Sequence, residues 1–75
     1  MSDGHRSHLN QRLRGHITEL IQEKGVGAKI RTDTVREKLQ KKHRSWRIEI
    51  HQVANLMRER EDLSWVETGV FMRVR

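Results

Sequence analysis

The spacing of apolar residues divides the chain into two kinds of segment. Before Asp62, apolar residues recur every three or four positions, which is the period of an amphipathic α-helix. After Asp62 they alternate with polar residues, which is the period of a β-strand. The pattern predicts three helices and a terminal pair of strands.

The first helix is predicted from a stripe of five apolar residues: Leu9, Leu13, Ile17, Leu20 and Ile21. Ser7 is a suitable N-cap, and Gly25 is suited to the C-terminal cap because glycine adopts the left-handed conformation readily. Residues 28–30 are a candidate short strand that places Ile30 in the core. Residues 1–6 lack periodicity and are expected to form a flexible N-terminus.

The second helix is predicted to begin at Thr32, whose hydroxyl is expected to accept a bond from a free amide of the first turn. Val35 and Leu39 are its inward pair. A third helix is predicted to run to about Glu61. Its inward residues are expected to be Ile50, Val53, Ala54 and Met57, with Leu56 at the edge.

The last strands are predicted to form a β-hairpin around a two-residue turn, Thr68-Gly69, in which the glycine supplies a positive φ. Counting outward from that turn places two pairs on the side that packs on the helices: Leu63 with Val74, and Trp65 with Met72. Val66 and Phe71 are expected on the opposite side.

The length of 75 residues is enough for one domain, which we assign to residues 7–75. Cysteine is absent, which excludes disulfides and thiolate metal sites and favours a reducing, cytoplasmic environment. No apolar run approaches the length of a membrane span, and no signal peptide is recognisable at the N-terminus.

The positive charge is concentrated in one part of the chain. The net charge is +6, and the segment from Lys29 to Arg47 contains eight lysines and arginines against two acids, so the remaining residues sum to zero. A neutral scaffold with one basic segment indicates a polyanionic partner, of which nucleic acid is the commonest inside cells. An ordinary solvated surface is the alternative interpretation.

The order of helix, short strand, helix, helix and hairpin resembles the winged helix-turn-helix family. The resemblance covers about residues 8–75 and includes the Val35/Leu39 pair and the run Ile48-Glu49-Ile50-His51-Gln52-Val53 that leads into the third helix. It implies an α+β fold of three helices, a short strand and a C-terminal hairpin called the wing. It also implies DNA binding by a small transcription regulator or chromatin-associated factor, located on the nucleoid or chromatin.

In that family the third helix commonly enters the major groove while the wing contacts the backbone or minor groove. Carried over to this sequence, the candidate base-reading residues are His51, Gln52, Asn55 and Arg58. Glutamine and asparagine can pair with adenine, and arginine with guanine. Phosphate contacts are expected from Arg36, Lys41, Lys42, Arg44, Arg47 and Arg73. The alternative is that these side chains are only the solvated side of the domain.

Two features depart from the family pattern. Eight residues separate Leu39 from Ile48, so either the second helix is longer than usual or the turn is a loop. Trp46 in this stretch either packs on the domain or stacks on a base. From Glu49 to Asp62 the acids outnumber the arginines, and a net negative third helix is unfavourable between phosphates.

A protein-interaction module is therefore the alternative function, supported by the acidic third helix and by the expected exposure of Val66 and Phe71. Homodimerisation through the first helix stays open, as does binding to RNA in a ribosome-associated role. Catalysis is not expected, because no nucleophile has a base beside it and the Gly25–Lys29 loop lacks a complete phosphate-binding motif. We therefore expect no cofactor, metal or small-molecule substrate.

Overall fold

A computed structural model describes the backbone of residues 2–75 and the side chains of residues 8–75. The elements are α1 (Ser2–Gln22), β1 (Lys29–Arg31), α2 (Thr32–Lys42), α3 (Ile50–Arg58), β2 (Leu63–Glu67) and β3 (Val70–Arg73). Helix α1 begins ahead of Ser7, so the prediction that Ser7 caps it is wrong. Residues 1–6 were predicted to form a flexible N-terminus. Of these, Met1 and the side chains of residues 2–6 lie outside the described residues. None of the described helices is long and apolar enough to cross a membrane.

The fold is α+β with a winged-helix layout, which confirms the predicted fold class. Three helices are combined with an antiparallel sheet in the strand order β1-β3-β2, and β2 and β3 form a C-terminal hairpin. The core draws side chains from all six elements and from Ile48, which precedes α3. The buried apolar residues are Leu13, Ile17, Ile21, Ile30, Val35, Leu39, Ile48, Val53, Leu56, Met57, Leu63 and Phe71.

The inward side of α3 differs from the predicted one. Leu56 is buried with Val53 and Met57, whereas Ile50 is 43% exposed and Ala54 is half-buried. The reason is that Ile48, fully buried just before the helix, already fills the core position at its start. The helix is thereby rotated, and Ile50 lies at the edge of its outer side.

The register of the hairpin also differs from the predicted one, by a single residue. The Thr68-Gly69 turn forms as predicted, with a φ of 77° at the glycine. A β-bulge between Trp65 and Glu67 then shifts the pairing, so that Trp65 lies opposite Phe71. Phe71 is consequently 2% exposed and belongs to the core, and the prediction that it shares the outer side with Val66 is wrong.

The C-terminal end of α1 is fixed by a residue distant in sequence. The helix ends at Gln22, and Gly27 rather than Gly25 has a positive φ, so the predicted glycine cap is wrong. The guanidinium of Arg73 instead donates to the carbonyl oxygens of Ile21, at 3.3 Å, and of Lys24. The amide of Lys24 also donates to the carbonyl oxygen of Ile21, at 3.0 Å, so Arg73 adds a second donor there and binds the carbonyl oxygen of Lys24 in the loop that follows the helix.

The start of α2 is joined to the turn of the hairpin. The backbone amide and the Oγ1 hydroxyl of Thr32 both donate to the carbonyl oxygen of Gly69, at 3.0 and 3.1 Å. Thr32 is buried, and its hydroxyl makes this contact instead of the predicted N-cap bond. The wing turn is therefore bound to the body of the domain.

Candidate nucleic-acid interface

The solvent side of α3 carries three of the four predicted base-reading residues. His51, Asn55 and Arg58 are exposed, on the side of the helix opposite Val53 and Leu56. These three residues lie at positions i, i+4 and i+7, which share one side of a helix. We call them the α3 face.

The fourth predicted reader is engaged within the protein. Gln52 is half-buried, and its Nε2 atom donates to Oδ1 of Asn10 on α1, at 3.0 Å. This bond fixes α3 to α1. The amide of Gln52 is therefore less available to a ligand than the α3 face.

Helix α3 contains no carboxylate, contrary to the sequence-based interpretation. The helix ends at Arg58 instead of about Glu61, so Glu59, Glu61 and Asp62 follow it. Glu49 precedes it as the N-cap residue. The prediction of a net negative third helix is wrong, because the only ionisable side chains between its ends are His51 and Arg58.

The four acids that flank α3 all form ion pairs with arginines. The pairs are Glu49 with Arg47 at 2.9 Å, Glu59 with Arg14 at 3.0 Å, Asp62 with Arg60 at 2.9 Å and Glu61 with Arg75 at 3.2 Å. Exposed pairs of this kind add little stability. Their consequence is electrostatic: the negative charge around α3 is locally compensated.

The pair between Arg60 and Asp62 is the most sheltered of these. Nε and Nη2 of Arg60 donate to the two carboxylate oxygens of Asp62, each at 2.9 Å, and Nη1 donates to Oγ1 of Thr18 on α1 at 2.7 Å. The hydrogen bonds from Arg60 hold the pKa of the Asp62 carboxyl below its ordinary value, although burial acts in the opposite direction. This arrangement ties the end of α3 to α1.

Two grooves lie along the two sides of α3 and share His51. The first, of about 420 Å³, lies between α3 and α1 and includes Arg47 and Asn55. The second, of about 220 Å³, lies between α3 and the hairpin, and we call it the wing groove. Its lining comprises Thr32, Ile50, His51, Ala54, Arg58, Trp65, Thr68, Gly69 and Phe71.

The predicted phosphate-contacting residues are divided between different parts of the surface. Arg47, whose side chain is 92% exposed, lines the first groove beside α3. Lys41 and Arg44 line a separate groove of about 370 Å³ at the end of α2. Lys42 faces α1, where its Nζ atom lies 3.5 Å from Glu19. The basic cluster predicted from the sequence is thus spread around the end of α2, with Arg47 adjoining the α3 face.

Two other predicted phosphate contacts have structural partners. Nε of Arg36 donates to the carbonyl oxygen of Ile48 at 2.9 Å, which fixes the chain just before α3. Arg73 is half-buried and binds the end of α1, as described above. Their roles in binding stay predictions, but each arginine already has a partner inside the domain.

The connection between α2 and α3 is a loop, residues 43–49, held by a side chain that sequence reasoning missed. Nε2 of Gln40 donates to the carbonyl oxygens of His43 and Trp46, at 3.1 and 2.6 Å. Its Oε1 atom accepts from the amide of Ile48 at 3.3 Å. Since Arg47 lies between two of these anchored residues, Gln40 sets its position beside α3.

A stack of three rings also supports this loop. The His43 ring lies 4.0 Å from the Trp46 ring and 4.5 Å from the His16 ring, measured between centroids. Nε2 of His43 is 2.6 Å from Nδ1 of His16. Trp46 is half-buried against the core, which favours packing on the domain over stacking on a base. One of the two facing nitrogens donates and the other accepts, because two N–H groups pointing at each other could not approach to this distance.

The ring stack leads to a pH-dependent stability. Burial, followed by the charges of His16, Lys42 and Arg12, lowers the pKa of His43 from its ordinary value. A group whose pKa is lowered by folding stabilises the fold above its unfolded value, and the contribution is lost as the pH falls through the folded value. We therefore expect the melting temperature to fall as the pH is lowered from about 7.5 to about 5.5, across the usual histidine range.

The control is His43→Phe, which keeps a ring between His16 and Trp46 but cannot be protonated. Melting curves of both proteins by circular dichroism should show a shallower pH dependence for the variant. Equal slopes in this pH range would contradict the assignment of the effect to the ring stack.

No group of three or more potential metal ligands is brought together among residues 8–75. Comparison of the chain with family models, curated proteins and solved structures gave no match.

Proposed function

We propose that the protein binds nucleic acid, with duplex DNA preferred, through the α3 face and Arg47. The observation that carries the proposal is the charge arrangement of α3. Its solvent side presents an imidazole, an amide and a guanidinium, it contains no carboxylate, and every acid that flanks it is paired with an arginine. A helix of this composition can lie between phosphates without repulsion.

Different side chains have different chemical roles in this proposal. Asn55 pairs with the edge of adenine and Arg58 with that of guanine, since both can form two parallel hydrogen bonds. Arg47 contacts a phosphate at the start of the helix through Nη1 and Nη2, while its Nε stays paired with Glu49. Lys41 and Arg44 extend the contact along the backbone beyond α3. Phosphate contacts position the domain, and the α3 face reads the bases.

The alternative of a protein-interaction module loses two of its supports. The third helix is not acidic, and Phe71 lies in the core. The winged-helix layout agrees with either function, because one fold can host unrelated activities. The net charge of +6 favours the polyanionic ligand.

The proposal predicts a salt-dependent affinity in which Arg47 contributes one contact. The logarithm of the association constant for duplex DNA should fall linearly with the logarithm of salt concentration, because bound cations release condensed counterions. Arg47→Gln should weaken binding and reduce the magnitude of that slope by about one. Fluorescence anisotropy at several salt concentrations measures both quantities.

Lys24→Gln is the matched control, because it removes the same charge from an exposed position in the loop after α1. Its slope should equal that of the unmodified protein. Binding that is insensitive to salt, or equal slopes for Arg47→Gln and the unmodified protein, would contradict the proposed interface.

A further inference from the structure

The wing groove contains an aromatic side chain that the core does not use. Trp65 is 56% exposed, although it is one of only three aromatic residues in the chain outside the histidines. Its strand partner, Phe71, is buried on the same side of the sheet. The indole therefore extends the core outward into the groove, beside Ile50 and Ala54 of α3.

The β-bulge keeps negative charge out of this groove. Residues paired across two strands share one side of the sheet, so Glu67 lies on the side of Val70, which is opposite to that of Phe71 and Trp65. Without the extra residue, Glu67 would share a side with Trp65. The described lining of the groove accordingly includes a cation, Arg58, and no carboxylate.

The chemistry of the lining is that of a site for a flat ring attached to an anion. Trp65, Ile50 and Ala54 supply apolar surface, whereas Thr68 and His51 supply hydrogen-bonding groups. Arg58 also lines the groove, is exposed and can bind a phosphate. Aromatic side chains beside cations are the arrangement by which proteins bind single strands, since every base offers a π-face.

We propose that the wing groove binds an unpaired nucleobase stacked on Trp65, with Arg58 at its phosphate in place of the guanine contact that Arg58 makes to a duplex. The ligand class is thus single-stranded DNA or RNA, or a duplex end with an overhang, because bases inside a duplex already stack on one another. This inference rests on the proposed nucleic-acid binding and deepens it. The positive charge of Arg58 and the lack of carboxylates in the lining favour this occupant over an apolar segment of a protein.

The test compares three probes of equal length and charge: an oligothymidine, an oligouridine and an abasic deoxyribose strand. The protein should bind the oligothymidine about tenfold more tightly than the abasic strand, as expected for one stacked base. Tryptophan fluorescence should be quenched by the base-bearing strand and not by the abasic one. The oligothymidine and oligouridine affinities distinguish DNA from RNA as the source of the base.

Trp65→Ala should abolish the preference for the base-bearing strand and leave the abasic affinity unchanged. Val66→Ala is the matched control, since Val66 is an exposed apolar residue of the same strand, and it should retain the preference. Circular dichroism establishes that both variants fold; Trp65→Phe, which preserves a ring, should retain part of the preference.

The outcomes separate this inference from the function on which it rests. Equal affinities of the unmodified protein for base-bearing and abasic strands overturn the stacking site, even if duplex DNA binds. Loss of the preference in Val66→Ala as well as in Trp65→Ala also overturns it. Absence of binding to every strand and to duplex DNA overturns the proposed function itself, and capture of an apolar peptide by Trp65 under those conditions would identify the groove as a protein site.

Discussion

Replacing Phe71 with alanine is expected to lower the free energy of unfolding by about 3–5 kcal/mol. Phe71 is buried and pairs with Ile30 on one side and Trp65 on the other, so its ring fills the centre of the sheet. Its removal leaves a cavity that the surrounding side chains can fill only partly. For a domain of this size the loss is a large part of the total stability. Urea denaturation followed by circular dichroism measures it.

The same experiment distinguishes the observed hairpin register from the register predicted without a bulge. In the observed register Val66→Ala, on the exposed side, should cost about 0.5 kcal/mol. Should Phe71→Ala prove too unstable to analyse, Phe71→Leu retains most of the volume and should cost less than about 1.5 kcal/mol. A cost for Phe71→Ala no larger than that for Val66→Ala would show that the bulge is absent.

Arg73→Ala should lower the free energy of unfolding by about 2 kcal/mol, because the variant removes a charged donor that joins β3 to the end of α1 and to the loop after it. The guanidinium contacts the carbonyl oxygens of Ile21, Lys24 and Arg75 at once. Arg73→Lys keeps the charge but cannot reach several acceptors with a planar group, so it should restore only part of the stability. Chemical denaturation of the three proteins measures the differences.

Arg75→Ala is the control, since this arginine is exposed and its pair with Glu61 lies at the surface. Its effect should stay below about 1 kcal/mol. The nucleic-acid affinity of folded Arg73→Ala should equal that of the unmodified protein. An unchanged stability combined with a loss of affinity would instead support the sequence-based interpretation of Arg73 as a phosphate contact.

The fold class was predictable because local signals agreed with the tertiary arrangement. The stripe on α1, the Val35/Leu39 pair and the burial of Ile30 all follow from periodicity, and the structure confirms them. The Thr68-Gly69 turn followed from the conformational freedom of glycine. Such features depend on neighbours a few residues away, which a sequence displays directly.

The errors involve features determined by distant residues or by a single insertion. A one-residue bulge has no sequence marker here, yet it exchanges the expected positions of Phe71 and Met72 relative to the core. The cap of α1 depends on Arg73, which comes from the far end of the chain. Similarly, the hydroxyl of Thr32 donates to the carbonyl oxygen of Gly69, far away in sequence, and does not accept from an amide of its own helix.

The candidate site was predictable in part for the same reasons. The exposure of His51, Asn55 and Arg58 was predicted from helical spacing, and the rotation of α3 does not bury them. Their role as base readers came from the resemblance and stays a prediction. Gln52 lies closer to α1, and its bond to Asn10 requires knowledge of how the helices pack. The third helix was expected to be acidic because it was predicted to end at about Glu61, three residues after its actual end at Arg58. A count of charges in sequence also misses pairs such as Glu59 with Arg14.

The two hydrogen bonds from Thr32 to the carbonyl oxygen of Gly69 affect both the rate and the entropy of ligand association. These bonds anchor the tip of the hairpin to α2 and restrict movement of the hairpin relative to the helices. The width of the wing groove, between Trp65 and α3, is therefore set before a ligand binds. Association therefore costs little conformational entropy in the hairpin. Thr32→Val would remove the hydroxyl bond and keep the amide bond, which loosens the anchor, and the expected result is slower and less favourable docking by a protein that is still folded.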